Sequence, residues 1–280
     1  MPLEYKTYKE AEERFTWSQV WDLFDGNRES FNIAHECVDR HAHRRKTALR
    51  VKFDDGHSEF HDFGELARSS SQFANMLQRH GVNTGDRVAI ILNPSFEFYT
   101  TLFGTIKRGA AAVPCSPLFG PDALEYRIQH SGARALVTTQ EKAEQLSTTP
   151  VANVFIVGEM FHELLSEEDE EYQVHTSADD VVVIQYTSGT TAKPKDVIYH
   201  HKSVPVSMPS AIFGLGLAEG EEFFCPSSPA WGHGIWYGTI APLALGIAVG
   251  AYSGKFETEL LLEALEEFKI TNLSAAPTVY

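Results

Sequence analysis

The residues most able to do chemistry lie together in one short stretch: Thr187, Ser188, Gly189, Thr190, Thr191, Ala192, Lys193, Pro194 and Lys195. Four hydroxyls, a glycine and two lysines follow directly on the apolar run VVVIQY. Small hydroxylated residues let backbone N–H and side-chain O–H groups converge on phosphate oxygens, and lysines add the positive charge those oxygens need. The spacing is not the Gly-x-x-x-x-Gly-Lys-Ser/Thr pattern of P-loop NTPases. Nor does the chain carry the strand–GxGxxG–helix signature of dinucleotide binders. A plain polar loop rich in Ser and Thr is the alternative, and two lysines flanking a proline argue against it. A second candidate is residues 229–234, Pro-Ala-Trp-Gly-His-Gly. Trp231 is either the floor of a pocket or plain core. His233 is either a ligand-facing group or a hydrogen-bonded residue at a helix start.

The elements that must position these residues can be read from hydrophobic periodicity. Phe31, Ile33, Ala34, Cys37 and Val38 form one apolar stripe in an opening segment that reads as helical to about residue 43. Strands are expected at 48–53 and 57–61, around the turn Asp54-Asp55-Gly56. A helix over 65–80 closes on Gly81, the residue a helix C-terminus favours. Then come a strand at 87–92, a helix at 96–108, a short strand at 111–113, a helix opened by Pro121, and strands at 133–139, 151–157 and 179–186. A helix from Lys202, strands at 223–225 and 247–251, a helix at 257–268 and a strand at 272–276 complete the pattern. This alternation predicts an α/β fold of layered, largely parallel sheets flanked by helices. The acidic run SEEDEEY at 166–172 reads as a solvated loop or helix end.

Composition narrows the function classes. The 280 residues carry 23 Lys and Arg against 38 Asp and Glu, a net charge of −15. That balance excludes bulk electrostatic gripping of nucleic acid and leaves room for a local anion site. Hydrophobic residues at 43% suffice for a real core. No stretch approaches the roughly 18 apolar residues of a membrane span. The charged opening MPLEYKTYKEAEERF lacks the apolar core of a signal peptide. Cys37, Cys115 and Cys225 are too scattered for a disulfide framework or a paired-Cys metal site, so a reduced, cytoplasmic setting is expected.

The 187–195 stretch resembles the phosphate loop of the AMP-forming acyl-CoA synthetases, within the adenylate-forming superfamily. Gly85-Asp86-Arg87-Val88-Ala89-Ile90, the segment GAAAVPCSP at 109–117 and Gly132-Ala133-Arg134-Ala135-Leu136-Val137 resemble further family segments. Phe31-Asn32-Ile33-Ala34, with Asp39-Arg40-His41 after it, looks closest to acetyl- and medium-chain acyl-CoA synthetases. The resemblance covers nearly the whole chain. It implies a ligase that joins a small-molecule carboxylic acid, of short or medium chain, to coenzyme A at the expense of ATP, with Mg²⁺. Thr187, Ser188, Gly189, Thr190 and Thr191 would cradle the β- and γ-phosphates, with Lys193 and Lys195 as cationic support. Trp231, His233 and Gly234 would line the acid site. His201 matches a histidine that follows the family's loop and is expected to be structural.

Two residues depart from the family: Ala192 and Asp196 stand where glycine is usual. An alanine held at positive φ costs about 1 kcal/mol, and an aspartate beside a triphosphate repels it. The family continues past a strand like 272–276 into an arginine-bearing segment, a Tyr-Gly-x-Thr-Glu motif that holds Mg²⁺, a Thr-Gly-Asp strand, and a lid domain with a catalytic lysine. The resemblance therefore implies that 1–280 is an incomplete N-terminal AMP-binding domain without the C-terminal lid, not fully active alone. It leaves room for a C-terminal half on another chain or for a homo-oligomer. A non-catalytic nucleotide-binding relic, one half of a split ligase and an aryl-acid CoA ligase are the alternative readings.

Overall fold

In the computed structural model the strands gather into two sheets. The structure describes residues 3–146, 150–187 and 194–280. The strands are β1 (Thr47–Phe53), β2 (Ser58–Asp62), β3 (Arg87–Ile91), β4 (Ala111–Pro114), β5 (Ala135–Thr138), β6 (Asn153–Ile156), β7 (Val181–Thr187), β8 (Lys195–His200), β9 (Phe223–Phe224), β10 (Val249–Ser253) and β11 (Asn272–Leu273). One sheet runs β6-β5-β3-β4-β7-β8 and the other β11-β9-β10-β1-β2. All neighbours are parallel except the two hairpins, β1–β2 and β7–β8. This is the layered, largely parallel α/β fold that the alternation predicts.

Burial follows the period-2 rule for a sheet covered on both faces. Along β3, Val88 and Ile90 enter the main core between the sheets, while Ala89 and Ile91 enter a second core against the helix Pro121–Ser131. A third, smaller core joins Phe224 and Tyr252 to Leu261, Ala264 and Phe268 of the helix Thr258–Glu267. The layers thus run helix, sheet, buried helices, sheet, helix.

Local chemistry explains most element ends. The Asp62 carboxylate accepts the Glu65 N–H at 2.7 Å and Glu65 accepts the Asp62 N–H at 2.8 Å, a reciprocal cap that starts the helix Phe63–Arg79. Gly81 follows its last turn at φ +72°, a conformation only glycine adopts without strain.

Two differences from the predicted pattern stand out. The opening segment is not one helix: it divides into Tyr8–Arg14, Trp17–Trp21, Ile33–Cys37 and a 3₁₀ stretch Asp39–Arg44. Its stripe residues Phe31, Ile33, Ala34, Cys37 and Val38 are all buried nonetheless. Helices at Gln140–Gln145 and Glu159–Ser166 and the strand β8 form where none was read. The acidic run lies almost wholly at the surface, although Arg79 pairs with Glu168 at 2.6 Å. Among the described residues no helix is long and apolar enough to cross a membrane.

Candidate active site

The hydroxyl-rich stretch joins β7 to β8, with Thr187 and Lys195 paired across the hairpin at its base. Because β7 runs parallel to β4 (Ala112 opposite Val183), the loop departs from the carboxyl end of the sheet. That end is where open α/β sheets bind ligands, since side chains and loops converge there. Ser188, Gly189, Thr190, Thr191 and Lys193 lie outside the described residues, as does Ala192. The base is described. Thr187 Oγ1 faces the Lys195 carbonyl at 3.4 Å, and Lys195 and Asp196 are exposed. Tyr126, on the helix Pro121–Ser131, donates its hydroxyl to the Pro194 carbonyl at 3.2 Å and so ties the loop's return to that helix.

Tyr186, the last buried residue of β7, faces the same helix. Its hydroxyl meets His130 Nδ1 at 2.9 Å. Burial, and then the nearby Asp196 carboxylate, push its pKa up to about 12, so it stays a neutral hydrogen-bonding group. The Arg127 guanidinium lies 5.6 Å from the Tyr186 ring and 4.1 Å from the Phe119 ring. Phe119 in turn meets Trp231 edge-on, with centroids 5.8 Å apart at 76°. The row Tyr186–Arg127–Phe119–Trp231 connects the loop base to the second candidate segment. Each cation–π contact is worth about 0.5–2 kcal/mol.

The segment 229–234 follows β9 and runs into π-helical turns at His233–Ile240. Trp231 is 47% exposed, so it is not plain core. Gln185 of β7 donates from Nε2 to the Ala230 carbonyl at 3.2 Å, a second tie between β7 and this segment. His233 is held at both ring nitrogens: Nδ1 lies 3.0 Å from Ser227 Oγ and Nε2 lies 2.9 Å from Ser274 Oγ. These hydroxyls follow β9 and β11, so the imidazole bridges two carboxyl ends of the five-stranded sheet. This matches the hydrogen-bonded helix-start reading of His233. Gly234 is obligatory, because a Cβ there would lie 2.2 Å from the Ser228 carbonyl oxygen and 2.4 Å from that of Ser227.

His201 is a support. Its Nδ1 accepts the Ile33 N–H at 3.0 Å, and burial lowers its pKa to about 4. Among the described residues, no group of three or more His, Cys, Asp or Glu gathers as a metal site. Gln185 was visible in the sequence as the lone polar residue in VVVIQY. Phe119, Tyr126, Arg127, Ser227 and Ser274 gave no such signal, because their relevance depends on partners distant in sequence.

Comparison with known proteins bears on this geometry. The family model described as "AMP-binding enzyme" matches residues 38–280. The acetyl-coenzyme A synthetase of Bacillus subtilis (strain 168) is 30% identical over 293 residues, covering 98% of this chain and 51% of that protein. The crystal structure of an acyl-CoA synthetase from Brucella canis superposes with TM-score 0.90 at 28% identity, covering 98% of this chain and 53% of that one. An anthranilate CoA ligase, AuaEII, solved with anthranoyl-AMP, shares the fold: TM-score 0.81, 24% identity, 92% of this chain and 50% of that one. The chain spans about half the length of the curated relatives it matches.

Proposed function

This chain belongs to the AMP-binding enzyme family, and from that premise we propose that it carries the nucleotide and acid sites of an ATP-dependent carboxylate–CoA ligase. In the first half-reaction a carboxylate oxygen attacks the α-phosphorus of ATP. An acyl-phosphate bond forms, the bond to the bridging oxygen breaks, and pyrophosphate leaves. In the second, the thiol of coenzyme A attacks the acyl carbon, losing its proton, and AMP leaves. Both partners of the first step are anions, so catalysis is chiefly charge management. Thr187, Ser188, Gly189, Thr190 and Thr191 are assigned to the β- and γ-phosphates as hydrogen-bond donors, with Lys193 and Lys195 as cations. Trp231, His233 and Gly234 are assigned to the acid site. His233, restrained by two hydroxyls, holds the segment's geometry. The acids favoured are of short or medium chain. The setting is cytoplasmic, which suits three free, buried thiols.

The observation that carries this reading is the double tie between the loop base and the segment 229–234, through Gln185 to Ala230 and through the row from Tyr186 to Trp231. An acid held there lies beside phosphates held by the loop. Mg²⁺ bound with the nucleotide would offset phosphate charge, but among the described residues no group of three or more His, Cys, Asp or Glu gathers to hold it, so no step here runs through the metal.

The test is acid-dependent exchange of labelled pyrophosphate into ATP. It uses the native protein at the length its source makes, with acids from acetate to octanoate and with benzoate. Exchange with the alkanoic acids supports the reading, and exchange with benzoate alone replaces it by an aryl-acid ligase. ATP binding without exchange for any acid would leave a non-catalytic nucleotide-binding protein.

A further inference from the structure

Two of the chain's four tryptophans stand four residues apart on the short helix Trp17–Trp21, a spacing that puts both on one face. Each ring is set by an edge-on neighbour, Trp17 by Phe15 and Trp21 by the buried Phe31, with centroids 5.3 Å apart in both pairs. Trp17 nevertheless remains 55% exposed. Both indoles line an open cavity of about 230 Å³, together with Pro205 and Val206 of the helix Ser203–Pro209. The cavity is remote from the hydroxyl-rich loop. Its Asp179 precedes the amino end of β7, whereas the loop leaves the carboxyl end. The seven residues of that strand, at ~3.3 Å each, separate the two by about 20 Å.

Charge around this cavity does not cancel. Lys202 pairs with Asp179 and holds that carboxyl below its usual range, with His200 and Arg28 adding least. Asp179 is the one carboxylate among the lining residues, so Lys202 is matched and Arg28 is the cation left over. The Arg28 guanidinium lies 5.9 Å from the Trp21 ring and makes no ion pair among the described residues. Its backbone is anchored instead: the Arg28 carbonyl accepts the Ala178 N–H at 3.1 Å, and the Ala178 carbonyl accepts the Lys202 N–H at 2.9 Å. In a chain of net charge −15, an unpaired guanidinium beside two indoles is a local site for a flat anion.

We propose that this cavity is a second ligand site, which takes a small aromatic carboxylate with its ring against Trp17 and Trp21 and its charge on Arg28. A guanidinium offers two parallel N–H donors that match a carboxylate, and aromatic faces favour a flat ring over a puckered one. The volume of about 230 Å³ lies below the roughly 300 Å³ at which sites for drug-sized ligands begin, which suits a one- or two-ring acid rather than ATP or coenzyme A. The bound acid is an effector rather than a substrate, and the inference does not depend on the ligase reading.

The experiment is calorimetric titration of the native protein with benzoate and indole-3-acetate, against their neutral amides and against cyclohexanecarboxylate. At least one aromatic acid is expected to bind, with its amide and the saturated acid weaker by roughly fivefold or more. Arg28→Gln and Trp17→Leu should each weaken that acid by a similar factor, while the urea midpoint stays nearly unchanged because both side chains are exposed. Should Trp17→Leu not fold, Arg28→Gln alone decides. No binding by either aromatic acid, or binding that is undiminished in Arg28→Gln, would overturn the inference. Undiminished binding would place the acid elsewhere, as beside Trp231, and leave the ligase reading intact.

Discussion

His201 offers a quantitative test of how the chain around the loop is held. The side chain is 1% exposed and its Nδ1 accepts the Ile33 N–H at 3.0 Å, which requires a neutral imidazole. Protonation would set an N–H against an N–H inside the core. Burial accordingly lowers the folded pKa to about 4; the nearby Asp180 opposes the shift and His200 adds to it. The unfolded chain binds this proton near pH 6.5. Below that pH the unfolded state therefore holds more protons than the folded one, and stability falls as pH falls until it levels off near pH 4. Linkage gives a loss of about 2 kcal/mol between about pH 7 and pH 4.5 from this residue alone. Urea unfolding across that range measures it, with the difference between the native chain and His201→Asn isolating the contribution. Asparagine can keep an acceptor near the Ile33 N–H and does not titrate. The variant should lose about 2 kcal/mol less on acidification. Identical acid limbs in the two proteins would refute the argument.

Two further outcomes follow from packing and thiol burial. Gly234→Ala drives a methyl into two backbone carbonyl oxygens at 2.2 and 2.4 Å, so unfolding in urea should show a loss of about 2 kcal/mol or more; Gly214→Ala, where a methyl meets nothing within 4 Å, serves as the tolerated control. Cys37, Cys115 and Cys225 are all buried, and burial raises each thiol's pKa, to about 12 for Cys115 and about 11 for Cys225. An aromatic disulfide reagent at neutral pH should leave the folded protein almost unmodified and titrate three thiols after unfolding; rapid native modification of any of them would contradict the burial.

Where local rules decide the structure, the sequence could be read directly. Gly81 ends the helix after Arg79, and the run before Thr187 forms a buried strand, while the Asp62–Glu65 cap starts that helix at Phe63, ahead of the residue 65 predicted. The residues of the proposed phosphate loop stand out for the same reason, since hydroxyls and lysines gather within nine residues. The strand β8 was not, because Lys195, Asp196 and Ile198 are exposed on a hairpin arm whose order comes from backbone pairing with β7. The opening helix was over-read: the apolar stripe is real, but it serves short helices bent around Phe31 and Val38. Partnerships across long separations, such as His201 with Ile33 and His233 with Ser274, leave no mark in a local window. The same holds for the division of the strands between two sheets.

The central claim is that the loop between β7 and β8 grips the outer phosphates of ATP. The most direct measurement compares the affinities of ATP and AMP for the native protein and for Lys195→Ala and Thr187→Ala. Removing a charge-assisted contact to the β- or γ-phosphate should weaken ATP by roughly tenfold or more while AMP changes little. Equal losses for both nucleotides, or none for either, would contradict the account.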